Sequence, residues 1–470
     1  MQPDVMMLAK ERAIQPFTII PSGDVTFHPH SFADDAGRLF WWNAQLYRGI
    51  NAAHASFFNR LFRDGVIQEL IESGLLVDSE PVDLAIDQYP MVVKHRTVPF
   101  VSYPNEWCAA MLKDAALTII DLATELARLG LTLKDAHPWN LLFDCSRPVY
   151  VDLTSIVPQK GEPEWSAYDE FCRFCYYPLI LMAHGQERIA RTLLPEYDGV
   201  TRRDLLTIMR GCAPSRFVFS KLLDRVLKSA RFFFRRAQRG SPSGVEFLEK
   251  VRRDLEKIPL PTYESRGRDH TSTLASETDV MATRQTFREI ITRLRPDALL
   301  DLSCDETWTS VLPASLGISV ASMSADPARA TAIYEMARDK KLPILPLVMD
   351  FVKPTPSVGY SDHYSIGATE RFRCEMVAAL GLADKLATEN HFNLDLVAEG
   401  LSAFAKRWLI VDFGGSQSSN FDEERDGRAT PHSLDDFIHA LCKRFGVVRV
   451  LSATGNGRAL LMCERRSGER

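Results

Sequence analysis

The spacing of apolar residues divides the chain into two regions with different patterns. In the first region, strand-like segments come before helical ones. Gly37–Ile50 predicts a hairpin with Asn43 in its turn, and an apolar stripe from about Trp107 to Leu129 predicts a long helix. Strands followed by helices are typical of an α+β module.

In the second region, short apolar runs alternate with helical stretches. The strand candidates are Ala298–Leu302, Ile318–Met323, Ile344–Val348, Met376–Leu380 and Trp408–Phe413. This alternation predicts a parallel, doubly wound sheet of the Rossmann type. Near the end, two further strands flank Gly455-Asn456-Gly457, which is typical of a hairpin turn. The predicted fold class is therefore α/β, with an antiparallel hairpin at one edge of the C-terminal sheet.

A charged segment with many turn-forming residues, Pro259–Thr273, separates the two patterns. We therefore predict an α+β module over residues 15–258, a linker over 259–284 and an α/β domain over 285–466. A chain of 470 residues is too long for one compact core, which fits this division.

Composition and charge exclude several classes of protein. The chain is 46% apolar and 25% charged, as expected for a folded protein, and its net charge of -5 argues against a nucleic-acid partner. Its longest uncharged apolar run, Phe174–Ala183, is far below the roughly 20 residues of a transmembrane helix. Nine cysteines without an apolar leader favour reduced thiols and a cytoplasmic location. Cys172 and Cys175 lack a second pair, so they predict buried thiols and no metal site.

Polar side chains follow three successive strands of the predicted C-terminal sheet. Asp301 and Ser303 end the first strand and Asp305 lies in the turn after it, whereas Asp326 and Asp350 follow the second and third. Because parallel strands end at the same edge of a sheet, we expect these residues to line one crevice. Their oxygens could accept hydrogen bonds from a ribose, an amino group or an adenine.

Five segments together resemble the sheet motifs of class I S-adenosylmethionine-dependent methyltransferases. They are residues 298–303 (ALLDLS), 320–327 (VASMSADP), 345–351 (LPLVMDF), 376–386 (MVAALGLADKL) and 408–413 (WLIVDF). The resemblance implies S-adenosylmethionine as cofactor, bound by the strand-end residues named above. Four features depart from the family. The turn 303–307 contains no glycine, and Ser324 stands where an acidic residue usually ends the second strand. Pro313 lies inside the following helix, and Asp384-Lys385 stands where related enzymes often carry two histidines.

Methyl transfer from a sulfonium needs alignment of the acceptor more than side-chain chemistry. A base would be needed if the acceptor were a hydroxyl. Asp384, His391 and Asp412 are the candidate catalytic residues by position. Their structural alternatives are a solvated carboxylate, a surface histidine and a hydrogen-bond acceptor at a strand end.

A loop in the first module resembles the catalytic loop of protein kinases and aminoglycoside phosphotransferases. Asp135 and Asn140 have the D-x4-N spacing, and Asp152 follows twelve residues after Asn140. The resemblance implies that Asp135 accepts a hydroxyl proton while Asn140 and Asp152 hold magnesium over the phosphates of ATP. The pattern is incomplete, because no glycine-rich loop precedes it, Arg48 replaces the phosphate-clamping lysine and the last motif reads Asp-Leu-Thr.

Residues 98–107, 131–140 and 149–155 also resemble a group of bacterial two-module proteins that includes rhizobial nodulation proteins. This resemblance implies methyl transfer to a small molecule, a glycan or a signal molecule in nodulation host specificity. Two alternatives stay open: a non-catalytic regulatory or scaffolding protein built from two degenerate enzyme folds, and a phosphotransferase that uses Asp135. The basic run Arg225–Arg239 predicts a solvated helix face or a contact with an anionic surface.

Overall fold

The computed structural model describes residues 18–31, 34–159, 165–212, 244–263, 277–303, 307–359, 364–388, 390–414, 433–453 and 458–466. Asp305, Arg225–Arg239 and the middle of the predicted linker, residues 264–276, lie outside these ranges. The chain forms two compact units, residues 1–97 and 98–470. The boundaries predicted at 258 and 285 stay a prediction, because both predicted modules contribute to the second unit.

The first unit is built on an antiparallel sheet of five strands, in the order β2-β3-β4-β7-β5, with β1 and β6 paired separately. Its elements are β1 (Thr18–Ile19), β2 (Thr26–Phe27), β3 (Gly37–Trp42), β4 (Gln45–Ile50), α1 (Ala52–Arg63), α2 (Val66–Glu72), β5 (Ser79–Val82), β6 (Leu84–Ala85) and β7 (Met91–His95). The predicted hairpin is confirmed: β3 and β4 join at Asn43 and Ala44, with φ of 47° and 59°. Two residues with positive φ form the turn that matches the twist of a hairpin.

The second unit opens with a part, called the helical part below, whose described residues between 98 and 258 are mainly helical. Its elements are α3 (Ala109–Arg128), β8 (Leu131–Leu133), β9 (Leu141–Asp144), β10 (Arg147–Tyr150), β11 (Ile156–Pro158), α4 (Tyr168–Phe171), α5 (Tyr177–Ala183), α6 (Glu187–Leu193), α7 (Arg202–Cys212) and α8 (Gly244–Glu256). A π-helical turn, Cys172–Tyr176, joins α4 to α5 and buries the thiols of Cys172 and Cys175. The strands form two short antiparallel pairs, β8 with β11 and β9 with β10.

The rest of the second unit is a sheet of seven strands, in the order β14-β13-β12-β15-β16-β18-β17. The strands are β12 (Ala298–Asp301), β13 (Ser319–Ser324), β14 (Ile344–Val348), β15 (Cys374–Ala379), β16 (Ala405–Phe413), β17 (Val447–Ala453) and β18 (Ala459–Glu464). The helices are α9 (Glu277–Leu294), α10 (Trp308–Ser315), α11 (Pro327–Lys340), α12 (Ala368–Arg371), α13 (Leu382–Thr388), α14 (Leu394–Phe404) and α15 (Leu434–Cys442). Strands β12 to β16 run parallel, and β17 and β18 form an antiparallel hairpin at the edge. The mixed α/β content predicted from the sequence is confirmed.

The parallel strands are buried on both faces, which is why their sequences read as continuous apolar runs. All five residues of β14 are buried, and Leu299, Val320 and Met376 of neighbouring strands share one core with Phe287 of α9. The order reverses between β12 and β15, and the crevice of an open α/β sheet lies at the carboxyl ends of the strands at such a point.

A buried ion pair ties the segment between β14 and β15 to the helical part. The Arg371 guanidinium donates to both carboxylate oxygens of Glu106, with side-chain exposures of 2% and 1%, and to the Val101 carbonyl at 2.6 Å. It also stacks over the Tyr103 ring, whose hydroxyl accepts a hydrogen bond from the Ile366 amide at 3.0 Å. Removing one partner of such a pair is costly, so the two segments are locked together.

Among the described residues, no helix is both long enough and apolar enough to cross a membrane.

Candidate functional site

Two exposed carboxylates lie at the ends of β13 and β14. Asp326 begins α11 as its N-cap, and its Oδ1 accepts a hydrogen bond from the Ala328 amide at 3.0 Å. Asp350 forms a similar turn, in which its Oδ1 accepts from the Val352 amide at 2.9 Å. Each carboxylate is therefore fixed through one oxygen, while the other receives no hydrogen bond from any described residue. That second oxygen is oriented in advance and open to a ligand.

Asp301, at the end of β12, differs from these two because it is buried at 1% exposure. Its Oδ1 accepts from the Ser303 amide at 2.9 Å, and its Oδ2 accepts from the Thr309 hydroxyl at 2.7 Å and from the Ser310 hydroxyl. Ser303 is also engaged, since its Oγ accepts from the Leu380 amide at 3.1 Å. Asp301 and Ser303 thus stabilise the turn into α10 and its contact with β15.

The strand register places these carboxylates at different positions along the strand direction. Asp301 pairs with Ser322 of β13, and Ser322 pairs with Pro346 of β14. Asp326 and Asp350 therefore each lie four residues beyond the level of Asp301, on the open side of the edge. The structure places all three at the same edge of the sheet, but only the outer two present a free oxygen.

Two of the candidate catalytic residues form a salt-bridge cluster with Arg458. The guanidinium lies 2.8 Å from Asp384 Oδ2 and 2.5 Å from Asp412 Oδ2. Asp412 Oδ1 also accepts from the Gly381 amide at 2.6 Å, and Asp384 accepts from the Gly414 amide at 3.1 Å. Burial acts to lower the pKa of Arg458, but the charges of Asp412 and Asp384 outweigh it and raise that pKa overall. Both carboxylates are engaged by one fixed cation, so neither is placed as a mobile base.

The third candidate, His391, lies on the short connection between α13 and α14. Its ring is exposed, and its backbone has φ of 56°, in the left-handed region. The position fits a surface histidine in a tight turn.

The structure brings the three residues of the kinase-like loop to one place in the helical part. The Tyr150 hydroxyl donates to the Asp135 carbonyl at 2.9 Å, and the Asn140 amide group donates to that hydroxyl at 3.2 Å. Asp152 lies two residues after Tyr150, just beyond the end of β10, and its Oδ1 accepts a hydrogen bond from the Thr154 hydroxyl at 2.7 Å. A buried tyrosine therefore connects the two loops through their hydrogen bonds.

The carboxyl group of Asp135 has a shifted pKa. Burial raises the pKa of Asp135, the nearby Lys134 and His137 oppose this, and the negative charges of Glu170 and Asp152 add to the rise. Among the described residues, no group of three or more histidine, cysteine, aspartate or glutamate side chains is arranged to hold a metal ion.

Sequence reasoning missed one part of the strand edge. Arg191, on α6 of the helical part, donates to the Val348 carbonyl at 3.2 Å, where β14 ends. One turn earlier, the buried Glu187 accepts hydrogen bonds from the Tyr263 hydroxyl at 3.0 Å. Burial is the main cause that raises the pKa of Glu187, and the charge of Asp326 adds to it. Arg191 lies 157 residues from its partner, so no local pattern could have revealed this contact.

No family model matches this sequence. The chain is similar to nodulation protein NoeA of Rhizobium meliloti (strain 1021). The two are 24% identical over 466 residues, which cover 93% of this chain and 95% of NoeA. The resemblance to rhizobial nodulation proteins seen in the sequence is confirmed by this similarity.

Solved structures give weaker similarities. The bifunctional kinase-methyltransferase WbdD matches with a TM-score of 0.30 and 14% identity, over 42% of this chain and 41% of WbdD. Magnesium protoporphyrin IX methyltransferase from Synechocystis PCC 6803, solved with bound S-adenosylmethionine, matches with a TM-score of 0.28 and 14% identity. The match covers 42% of this chain and 88% of the methyltransferase. The chain thus spans less than half of the WbdD protein. With TM-scores this low, the fold described here rests on its own strand order.

Proposed function

We propose that the seven-stranded sheet binds S-adenosylmethionine and that the protein transfers its methyl group to an acceptor. The observation that carries the proposal is the pair of exposed strand-end carboxylates, Asp326 and Asp350, each fixed through one oxygen and open through the other. The strand order supports it as well, since a parallel sheet ending in an antiparallel hairpin is what the resemblance to class I methyltransferases implies.

The residues at this edge fit the nucleoside part of the cofactor. A nucleoside offers ribose hydroxyls and an adenine amino group as donors, and a carboxylate oxygen is a strong acceptor for both. Asp326, on the strand next to β12, would accept from the ribose, and Asp350, one strand further out, would accept from the adenine amino group. Asp301 and Ser303 would act indirectly, by holding the turn between β12 and α10 in place.

Bound S-adenosylmethionine would supply an electrophilic methyl group. The chain itself would bind the nucleoside, orient it across the edges of β12 to β14 and exclude water from the crevice. Asp384 and Asp412 are proposed to shape the opposite side of the crevice through Arg458, and of the three candidate bases only His391 is not held in an ion pair among the described residues.

Conservative substitutions can test the proposal without disturbing the turns. Asp326→Asn keeps an N-cap oxygen for α11, because Asn and Asp cap helices about equally well, but it replaces the open oxygen with a donor. Asp350→Asn makes the same change at β14. We expect each variant to weaken S-adenosylmethionine binding about tenfold or more in calorimetry, because hydrogen bonds to charged groups contribute about 1.5–3 kcal/mol.

Asp339→Asn is the matched control, since Asp339 lies on the same helix with its side chain 72% exposed. Its affinity should equal that of the wild type. A wild-type protein that binds no S-adenosylmethionine at millimolar concentration would overturn the proposal and favour the non-catalytic alternative.

The acceptor is proposed to be a small molecule or a glycan, and the similarity to NoeA supports a role in nodulation signalling. Radiolabelled S-adenosylmethionine, incubated with the protein and with separated polysaccharide and small-molecule fractions of a cell extract, would test this. Label in neither fraction would contradict both acceptor classes.

The loop around Tyr150 supports a second candidate function, phosphoryl transfer. The specific observation in its favour is that Tyr150 bridges the Asn140 side chain to the Asp135 backbone, while burial raises the pKa of Asp135 and the charge of Asp152 adds to that rise. The test is Mg-ATP binding by the wild type, by Asp152→Asn and by Asp169→Asn, whose carboxylate is 82% exposed. Binding that is lost only in Asp152→Asn would support this function, and a wild type without binding would exclude it.

A further inference from the structure

Strand β14 is an edge strand, and one of its carbonyls faces away from the sheet. The Met349 amide donates to the Ser324 carbonyl of β13 at 2.8 Å. Because the peptide group between Val348 and Met349 is trans, its carbonyl oxygen points in the opposite direction, toward the open edge. A buried or partly buried carbonyl in this position needs a donor from outside the sheet.

The helical part provides that donor. Arg191 Nη1 donates to the Val348 carbonyl at 3.2 Å, while Arg191 Nε is buried without a hydrogen bond to any described residue. Burial acts to lower the pKa of Arg191, and the charge of Glu187 opposes this. The partly buried guanidinium is thus held close to the carboxyl end of β14, and its Nε donor receives no partner from the described residues.

This contact lies next to the turn that carries Asp350. Val348 precedes Asp350 by two residues, and the turn closes where the Lys353 amide donates to the Asp350 carbonyl at 3.0 Å. On the same helix, Glu187 lies near enough to Asp326 for the charge of that carboxylate to affect its ionisation. The short helix α6 therefore approaches both strand ends whose open oxygens would receive the cofactor.

We propose that Arg191 is a positioning residue of the cofactor crevice. By holding the outer carbonyl of Val348, it fixes the turn in which Asp350 meets the adenine base, so the helical part of the chain completes the S-adenosylmethionine site. The inference rests on the proposed function and adds to it a specificity determinant from outside the sheet.

The test compares two ligands that differ only at the base, S-adenosylhomocysteine and S-inosylhomocysteine. The carboxylate of Asp350 accepts from the amino group of adenine, whereas hypoxanthine presents a carbonyl there, which a carboxylate repels. We expect the wild type to prefer the adenine ligand and Arg191→Met to reduce that preference about tenfold, the effect of one lost charged hydrogen bond. Arg191→Lys, which retains a donor and the charge, should lie between the two.

Arg188→Met is the matched control, because Arg188 is exposed on the same helix. Its preference should equal that of the wild type. A purely structural role for Arg191 would weaken both ligands by the same factor and leave the preference unchanged, which would overturn the inference while the proposed function stands. If the wild type binds neither ligand, both fail.

Hydrogen exchange on the wild type gives a second measurement that does not depend on how the variants fold. S-adenosylhomocysteine should slow amide exchange in residues 345–353 and also in α6, residues 187–193. Protection confined to the first segment would contradict the inference.

Discussion

The two halves of the sheet edge carry similar acidic residues in different states. At β13 and β14, Asp326 and Asp350 are exposed, and each is fixed by a single backbone amide. At β15 and β16, Asp384 and Asp412 share the cation of Arg458 and accept further hydrogen bonds from backbone amides. In both halves an aspartate lies at or just beyond a strand end, yet only one half is available to a ligand.

The two halves differ because the Arg458 guanidinium pairs with the carboxylates of only one of them. Arg458 precedes β18 and reaches the edge because the antiparallel hairpin folds back beside β16. The other half receives no cation of this kind from the described residues; instead, Arg191 binds a backbone carbonyl there and leaves the carboxylates open. An acidic residue at a strand end is therefore available to bind a ligand only where no cation of the chain is already paired with it.

The largest effect is expected from removing the shared cation. Arg458→Met would leave two partly buried carboxylates without compensation, which should lower the free energy of unfolding by about 3 kcal/mol or more. Chemical denaturation measures this, with Arg449→Met on the exposed face of β17 as control. A variant as stable as the wild type would show that the two halves do not differ in the way described.

The next effect concerns Asp301, at the end of β12. Both of its carboxylate oxygens already accept hydrogen bonds, unlike those of Asp326 and Asp350. Asp301→Ala leaves the hydroxyls of Thr309 and Ser310 and the Ser303 amide without their acceptor, so we expect a loss of about 2–3 kcal/mol in unfolding free energy. Cofactor affinity should fall through the displaced turn, and less than in Asp326→Asn. Lost affinity with unchanged stability would instead make Asp301 a direct ligand.

A smaller, pH-dependent effect is expected at Glu187. Because the pKa of Glu187 is raised above its ordinary value of 4.5, mainly by burial, its contribution to stability is complete below about pH 4.5 and is lost as pH rises through the raised pKa. Glu187→Gln stays neutral, so its melting temperature relative to the wild type should increase from pH 4 to pH 7 by roughly a few degrees. If the difference in melting temperature between Glu187→Gln and the wild type did not change with pH, the raised pKa of Glu187 would be wrong.

The smallest effect is expected at His391. Because its φ of 56° suits glycine, His391→Gly should change the unfolding free energy by at most about 1 kcal/mol. Loss of methyl transfer with cofactor binding intact would identify His391 as the base. Unchanged turnover would show that His391 is not an essential base.

Much of the sheet could be predicted because continuous apolar runs identify buried parallel strands. The interval Ile344–Val348 was predicted with the bounds that β14 has, and the hairpin around Asn43 was located from its turn residue. The N-cap role of Asp326 was also accessible, since a proline at the next position is typical of a helix start.

The state of the site residues could not be predicted, because it depends on partners distant in the chain. Arg458 lies 46 residues from Asp412, and Arg191 lies 157 residues from Val348. Asp301 looks like the other strand-end acids in the sequence, and only the hydroxyls of α10 distinguish it. The resemblance of the first module to kinases likewise stays a prediction.

The buried pair of Arg371 and Glu106 has a consequence for how the chain could be divided. A protease that cuts between Tyr263 and Glu277 would leave two pieces joined by an ion pair that water does not reach. Residues 285–466 made alone would lose Glu106 and would expose to water the surface around Arg371 that the helical part covers, so we expect that fragment to be less stable than the same residues in the whole chain.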